Sequence, residues 1–316
     1  MTWRDRMVYR LLCMLRASLR AFGYAGAKHI GNAIGDLIWH FMPSRRDLAT
    51  RNLMTHIGLS EEEARTVARQ SFRHTGRSFL EIVLTHRFGL SSPNIRFDPP
   101  DLLERFRACE RPIVAATAHF GAWELLASLL GQVYEAPRPR MVVVRKYPDE
   151  GVHAFIASCR EAQGATMVGH RQAVKEVLRA LHANGIAAFL VDHNTKAEEA
   201  DFIPFLNEMA AVNKGPALLA VRASAEIWPV VLVRDGNDYI FTAAKPLDTA
   251  LLEGSREEKI DAAARFYTAA IEGFIRHHPE QWFWMHDRWK TKKHGSAARQ
   301  AARRALQQKK TQRGEQ

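Results

Sequence analysis

The stretch PIVAATAHFGAWELLASLL, residues 112–130, decides the fold. Its first seven residues form an unbroken small and apolar run, without the polar alternation of a half-exposed strand. Strands that read this way are buried on both faces, in sheets covered by helices. From Ala122 to Leu130 the apolar positions recur with a helical period. The stretch is therefore a strand, a turn over His119 to Gly121, and a helix.

The same texture continues downstream. Further apolar runs are MVVVR (141–145), GIAAFLVD (185–192), IWPVVLV (227–233) and DYIFTAA (238–244). Helical periods cover Asp149 to Gln163, Arg171 to Ala183 and Lys214 to Ala223, and a last helix runs from about Ser255 to His278. This alternation predicts a single α/β domain, a mostly buried mixed β-sheet flanked by helices. The turn Asp235-Gly236-Asn237 makes the last two strands an antiparallel hairpin.

Upstream, residues 1–90 read as a helical N-terminal extension. Met7, Leu11, Met14, Leu15, Leu19 and Phe22 form an apolar stripe, with Arg6, Arg10, Arg16 and Arg20 largely outside it. A basic amphipathic helix of this kind lies in a membrane interface. Ser60 with Glu63 is a capping-box pattern, opening a long helix that Gly89 closes. The best candidate span, Ala21 to Met42, carries Lys28, His29, Asp36 and His40, too polar for a bilayer crossing of about 20 apolar residues. Nor do Arg4, Asp5, Arg6 and Arg10 lead into the apolar core and cleavage site of a secretory signal. The expected organisation is a membrane-associating region (1–90), an α/β core (91–290) and a basic tail (291–316).

Composition agrees. The 316 residues are 47% hydrophobic and 25% charged, and Lys+Arg 45 against Asp+Glu 34 gives a net charge of +11. That charge sits at the ends: residues 1–51 hold nine Lys/Arg against three Asp, and residues 288–316 hold ten against Glu315 alone. A nucleic-acid reader concentrates its basic patch on the folded body, so no nucleic acid is expected as a partner. Basic ends on a near-neutral body suit an anionic membrane surface or an acidic protein. Cys13, Cys109 and Cys159 have no CxxC spacing, which excludes a disulfide or zinc framework and points to a reducing compartment.

His119 and Glu124 are the candidate chemical pair. On one continuous helix, positions i and i+5 lie about 140° apart and do not meet. They meet if His119 sits on the strand-to-helix turn, Gly121 loosens the bend and Glu124 enters the first helical turn. A carboxylate on one imidazole nitrogen leaves the other basic, able to deprotonate a hydroxyl as it attacks an acyl group. There is no Gly-x-Ser-x-Gly elbow, so the nucleophile is the acceptor's own hydroxyl. No glycine-rich phosphate loop or GxGxxG fingerprint is present, and no cofactor is expected. His277, His278 and His286 lack the accompanying ligands of a metal site, and the aromatic cluster QWFWMHDRW reads as packing. His74 reads as an ordinary surface or core histidine.

His119-x4-Glu124 in the frame AHFGAWE resembles the motif of the bacterial late lipid A acyltransferases, within the lysophospholipid acyltransferase superfamily. VVVRKYPDEGV (142–152), CREAQGA (159–165), GIAAFLVDHN (185–194), the long run 202–234 and HHPEQWFWMHDRWK (277–290) stand in the expected order. The resemblance implies transfer of a fatty acyl chain from an acyl-carrier-protein or coenzyme A thioester to a glycolipid hydroxyl. It implies a peripheral or monotopic place on the cytoplasmic face of the bacterial inner membrane. His119 would be the general base and Glu124 its orienting partner. Arg160, and less directly Arg145, would bind an anionic group of donor or lipid. Asp192 ends a strand where α/β proteins place ligand groups, and Glu199 or Asp201 would bring another carboxylate. Where many relatives carry a third acidic residue, this chain has Asn194. Two other readings stand beside this one: an acyl-CoA-dependent acyltransferase of the phosphatidylinositol mannoside type, and a non-catalytic basic protein that binds membrane or nucleic acid.

Overall fold

Four helices open the chain: α1 (Trp3–Leu19), α2 (Gly23–Phe41), α3 (Pro43–Ile57) and α4 (Glu61–Leu84). The computed structural model describes residues 1–292 apart from 20–22, 85–88, 91, 93, 134–137, 145–147, 162–163, 170–172 and 198–199. Pro43 begins α3, where its missing N–H has no bond to lose, and Gly58 at φ 85° ends it. The predicted capping box forms at α4: Glu63 accepts from the N–H and hydroxyl of Ser60, and Ser60 Oγ accepts from the Glu63 N–H. The helix is described to Leu84, and the turn expected to close it at Gly89 falls partly outside the described residues.

Helix α1 has two apolar faces. Tyr9, Leu12, Cys13 and Leu19 pack against Ile82 and Val83 of α4 and against Phe155 and Cys159 further along the chain. Met7, Leu11, Met14 and Leu15, on the opposite side, stay exposed. Phe22 and Arg20 lie outside the described residues. Among the described residues, no helix is long and apolar enough to cross a membrane.

The remaining elements, in order, are β1 (Ile95–Asp98), α5 (Leu102–Ala108), β2 (Ile113–Thr117), α6 (Trp123–Gln132), β3 (Arg140–Val144), α7 (Glu150–Glu161), β4 (Thr166–Gly169), α8 (Ala173–His182), β5 (Ile186–Leu190), β6 (Ala200–Phe205), β7 (Glu208–Asn213), α9 (Gly215–Arg222), β8 (Glu226–Asp235), β9 (Asp238–Ala243), β10 (Leu247–Asp248) and α10 (Arg256–His277). The main sheet runs β1-β9-β8-β2-β5-β3-β4, with β10 on β8. Its centre is parallel, and only the β8–β9 hairpin and β10 are antiparallel. The fold is the expected single α/β domain.

Period-two alternation on β2 feeds both layers. Ile113 and Ala115 join the core under α5 and α6, while Val114 and Ala116 join the core under α8, α9 and α10. A third cluster unites the N-terminal helices with the site: Ala49, Leu53 and Phe72 pack with Phe120, Phe205, Trp282 and Trp284. A buried ion pair reinforces the join, since Arg234 of β8 meets Glu81 of α4 through Nε at 2.8 Å.

Strands β1, β4, β6, β7 and β10 escape the sequence reading. Strands β1 and β4 have four residues each and lie at the edges of the sheet. Strands β6 and β7 form a separate two-stranded hairpin through Leu206 and Asn207, at φ 49° and 66°. Pro204 lies in that hairpin, where no second neighbour asks for its missing N–H. Leucine disfavours φ > 0. Tertiary contacts hold it there: its side chain is fully buried and its N–H donates to Glu272 at 2.8 Å.

Candidate active site

Strands β2 and β5 are parallel neighbours, with Thr117 opposite Leu190 at their C-terminal ends. His119 and Asp192 each lie two residues beyond that pair, so the register itself brings them together. His119 Nδ1 is 3.0 Å from Asp192 Oδ1, and the His119 backbone N–H donates to Asp192 Oδ2 at 2.9 Å. Trp282 Nε1 also donates to Oδ2, at 2.9 Å. Burial pushes the Asp192 carboxyl pKa up, but the His119 and His193 charges and the hydrogen bonds of His119 and Trp282 outweigh it, holding the group well below the ordinary range. An ionised carboxylate on Nδ1 fixes that proton and leaves the Nε2 lone pair for chemistry.

Gly121 makes the turn possible. Its φ is 56°, and a Cβ there would lie 2.1 Å from the Leu232 carbonyl oxygen. Its N–H donates to the Gln281 carbonyl, the Ala122 N–H to Leu232, and the Phe283 N–H to the His119 carbonyl. Phe120 pairs with Trp282 as an isolated antiparallel bridge. The side chain of Gln281 then clips to β8, accepting from the Arg234 N–H and donating to its carbonyl, both at 2.9 Å.

Glu124 enters the first turn of α6 as expected, yet its described partners are elsewhere. Trp123 stands between it and His119: its ring meets the imidazole edge-on at 5.5 Å, while its Nε1 donates to Glu124 Oε1 at 3.2 Å. Glu124 takes the fork of Arg160 on α7, Nε to Oε2 at 3.0 Å and an Nη to Oε1 at 2.7 Å. Both side chains are buried. The carboxylate that meets His119 is Asp192, delivered by the strand register, while helix α6 turns Glu124 towards α7. Arg160 holds its fork on Glu124 and is 7% exposed.

Between α6 and the sheet lies a narrow slot, with a cavity volume of about 30 Å3, so it must widen to admit a chain of methylenes. Leu126, Ala127, Leu130, Val142, Ala188 and Leu190 make most of its wall, with Thr117, Trp123, Glu124 and Arg160. Trp123 lines the slot and its ring also meets His119, so one side chain separates the slot from the imidazole.

Other expected residues are placed as follows. Arg145 and Glu199 lie outside the described residues. Asp201 pairs with Lys214 at 3.1 Å. Asn194 exchanges hydrogen bonds with Thr291, and its N–H donates to His286 Nε2 at 3.1 Å. His193 packs against His119 with ring centroids 4.4 Å apart, and against His286 at 5.5 Å. Among the described residues no group of three or more His, Cys, Asp or Glu side chains is arranged to hold a metal. Burial pushes the Cys109 thiol up to about 11 and raises that of Cys159, so neither is a ready thiolate. Trp282 and the segment around it were read as packing, and the polar half of their work, on Asp192 and Gly121, carries no motif of its own.

Comparison with known proteins gives a consistent result. The sequence profile of the family described as bacterial lipid A biosynthesis acyltransferase matches residues 5–291. The chain is 24% identical over 273 residues to the lipid A biosynthesis palmitoleoyltransferase of Escherichia coli, covering 85% of this chain and 86% of that protein. It is 26% identical over 277 residues to the lipid A biosynthesis lauroyltransferase of the same organism, covering 85% and 87%. A lipid A biosynthesis acyltransferase of Shigella flexneri matches at 24%.

Proposed function

The chain belongs to the bacterial lipid A biosynthesis acyltransferase family, and from that premise we propose how this acyltransferase works. It moves a fatty acyl chain from an acyl-carrier-protein thioester to a hydroxyl of a lipid A precursor. The observation that carries the reading is the His119–Asp192 pair, which Trp123 alone separates from an apolar slot. The slot takes the acyl chain, and the carbonyl carbon comes to rest beside His119.

His119 Nε2 removes the proton of the acceptor hydroxyl as its oxygen bonds to the carbonyl carbon. The carbonyl electron pair moves onto oxygen. When the C–S bond breaks, that pair re-forms the carbonyl and the sulfur leaves with the proton held by His119. An ester and a free thiol result, and no acyl-enzyme is formed. Asp192 steadies the imidazolium that exists between the two transfers. Trp123, Phe283 and His193 surround the ring and keep it from rotating. The Glu124–Arg160 pair braces α6 against α7 and forms a polar stretch of the slot wall. The basic ends of the chain attract the acidic carrier and the anionic lipid. The exposed face of α1 rests in the cytoplasmic surface of the inner membrane.

The test is a paired assay. Wild-type and His119→Ala protein, in detergent, receive lauroyl-acyl carrier protein and a tetra-acylated lipid A precursor, read by mass spectrometry. The expected result is one added acyl chain with wild type and none with the folded variant. Transfer that persists in His119→Ala overturns the role of His119. Transfer from acyl-CoA in preference to the carrier protein overturns the donor assignment.

A further inference from the structure

One group in the slot does not match its apolar wall. Thr117 Oγ1 is buried and has no hydrogen-bond partner among the described residues, on a side chain that lines the slot. An unpaired buried hydroxyl opposes folding, and valine fills the same shape without it. A threonine in such a place is accounted for when a ligand supplies the partner.

Its position along the slot is set by the sheet. Thr117 is the last residue of β2, opposite Leu190 at the end of β5. Val142 pairs with Ala188, two residues further back along β5. Leu130 lies near the far end of α6 from Trp123. The hydroxyl therefore stands at the end of the slot nearest His119, two residues before it in the chain. The other polar side chains of the wall, Glu124 and Arg160, are engaged with one another.

We propose that Thr117 is a catalytic residue whose hydroxyl donates a hydrogen bond to the carbonyl oxygen of the acyl thioester. The inference rests on the acyltransferase reading above and deepens it by naming a donor for the oxyanion. A fatty acyl thioester is a run of methylenes ending in a single carbonyl. A slot that is apolar in its depth, with a hydroxyl at the reacting end, matches it group for group. The chain lies with its methyl end towards Leu130 and Val142. As the acceptor oxygen attacks, negative charge gathers on the carbonyl oxygen and the bond from Oγ1 strengthens. It relaxes when the thiol leaves. Thr117 keeps its own proton throughout, and the transferred proton travels on His119.

The experiment compares wild type, Thr117→Val and Thr117→Ser, with lauroyl-acyl carrier protein as donor and a tetra-acylated lipid A precursor as acceptor. Thermal unfolding is measured in parallel. Thr117→Val is expected to unfold at the wild-type temperature or above, and to lose about a hundredfold to a thousandfold in kcat with little change in KM for the donor. Thr117→Ser, which keeps the hydroxyl, is expected to recover most of that rate. Wild-type kinetics in Thr117→Val overturn the proposal, and so does an effect confined to KM. Equal losses in both variants with lowered unfolding temperatures reveal a packing role and overturn it too. With an active wild type these failures leave the acyltransferase reading standing. A wild type that transfers no chain removes that reading, and this inference with it.

Discussion

Asp192 holds His119 at two points, the ring through Nδ1 at 3.0 Å and the backbone through its N–H at 2.9 Å. The carboxylate therefore fixes both the tautomer of the ring and the start of the turn that carries it. Asp192→Asn keeps the shape but can present an amide N–H to Nδ1, forcing the proton to Nε2. The expected loss in kcat is about 10²- to 10⁴-fold, with the unfolding temperature little changed. Steady-state kinetics and thermal unfolding on one preparation check it. An Asp192→Asn enzyme with wild-type kcat would sink the pairing.

Glu124 and Arg160 form a buried ion pair. Glu124→Gln or Arg160→Met alone strands the other member, at about 3–5 kcal/mol of stability. The double replacement Glu124→Leu with Arg160→Met restores much of that stability. Urea unfolding of wild type, Glu124→Leu, Arg160→Met and the double variant closes the cycle. If instead Glu124→Gln reproduces the pH–rate profile of Asp192→Asn at unchanged stability, Glu124 and not Asp192 orients His119.

The slot of the proposed mechanism is predicted to set the length of the transferred chain. Ala127 lines it from α6, and Ala127→Leu fills part of its width. A mixed pool of acyl-carrier-protein donors should then give a shorter dominant chain on the product. Each methylene of discrimination is worth about 10- to 200-fold. Mass spectrometry of the product reads the shift, and an unchanged chain-length distribution places the acyl chain elsewhere.

The outer face of α1 is predicted to hold the protein on lipid. Leu11 and Leu15 are exposed, so Leu11→Glu and Leu15→Glu leave folding intact. Each removes about 1.5–3 kcal/mol of apolar burial in the interface. Flotation with anionic vesicles should show at least a tenfold loss of binding per substitution. Binding equal to wild type argues that α1 stays off the membrane.

Acid should weaken the junction between α4 and β8. His74 Nδ1 lies 3.2 Å from the Arg234 guanidinium. Burial first, then the Arg234 charge, hold its pKa well below the ordinary value. A lowered histidine pKa means that the unfolded chain takes up a proton before the folded one does. Its contribution to stability is complete above about pH 6.5 and shrinks by about 1.4 kcal/mol per pH unit below it, until the folded pKa is reached. Urea unfolding between pH 7.5 and 5 measures the slope, and His74→Gln should flatten it. An unchanged slope in that variant assigns the acid sensitivity to other groups.

The five main strands and the helices between them were legible because their apolar runs are continuous and their helical periods clean. The turn that carries His119 was legible for the same reason, just beyond the most deeply buried strand. What the sequence could not order was the sheet. Knowing that Asp192 ends a strand does not reveal that this strand lies beside β2, and only that neighbourhood makes Asp192 the partner. Glu124 was close in sequence and so drew the assignment, but Trp123 occupies the space between. Thr117 looked like one more residue of an apolar strand. Its isolation is visible only once every neighbour has been placed and none reaches its hydroxyl.

The His119 turn is finished by residues that are made last. Gln281 receives the Gly121 N–H, Phe120 pairs with Trp282, and the Trp282 indole helps to hold Asp192. During synthesis the strand, the turn and the helix of residues 112–130 emerge long before this closing segment. The register of β2 and β5 can bring Asp192 to His119 before that segment exists. Only when the residues around Trp282 clear the ribosome is the turn itself closed, so the site is completed by a segment synthesised after all of its strands.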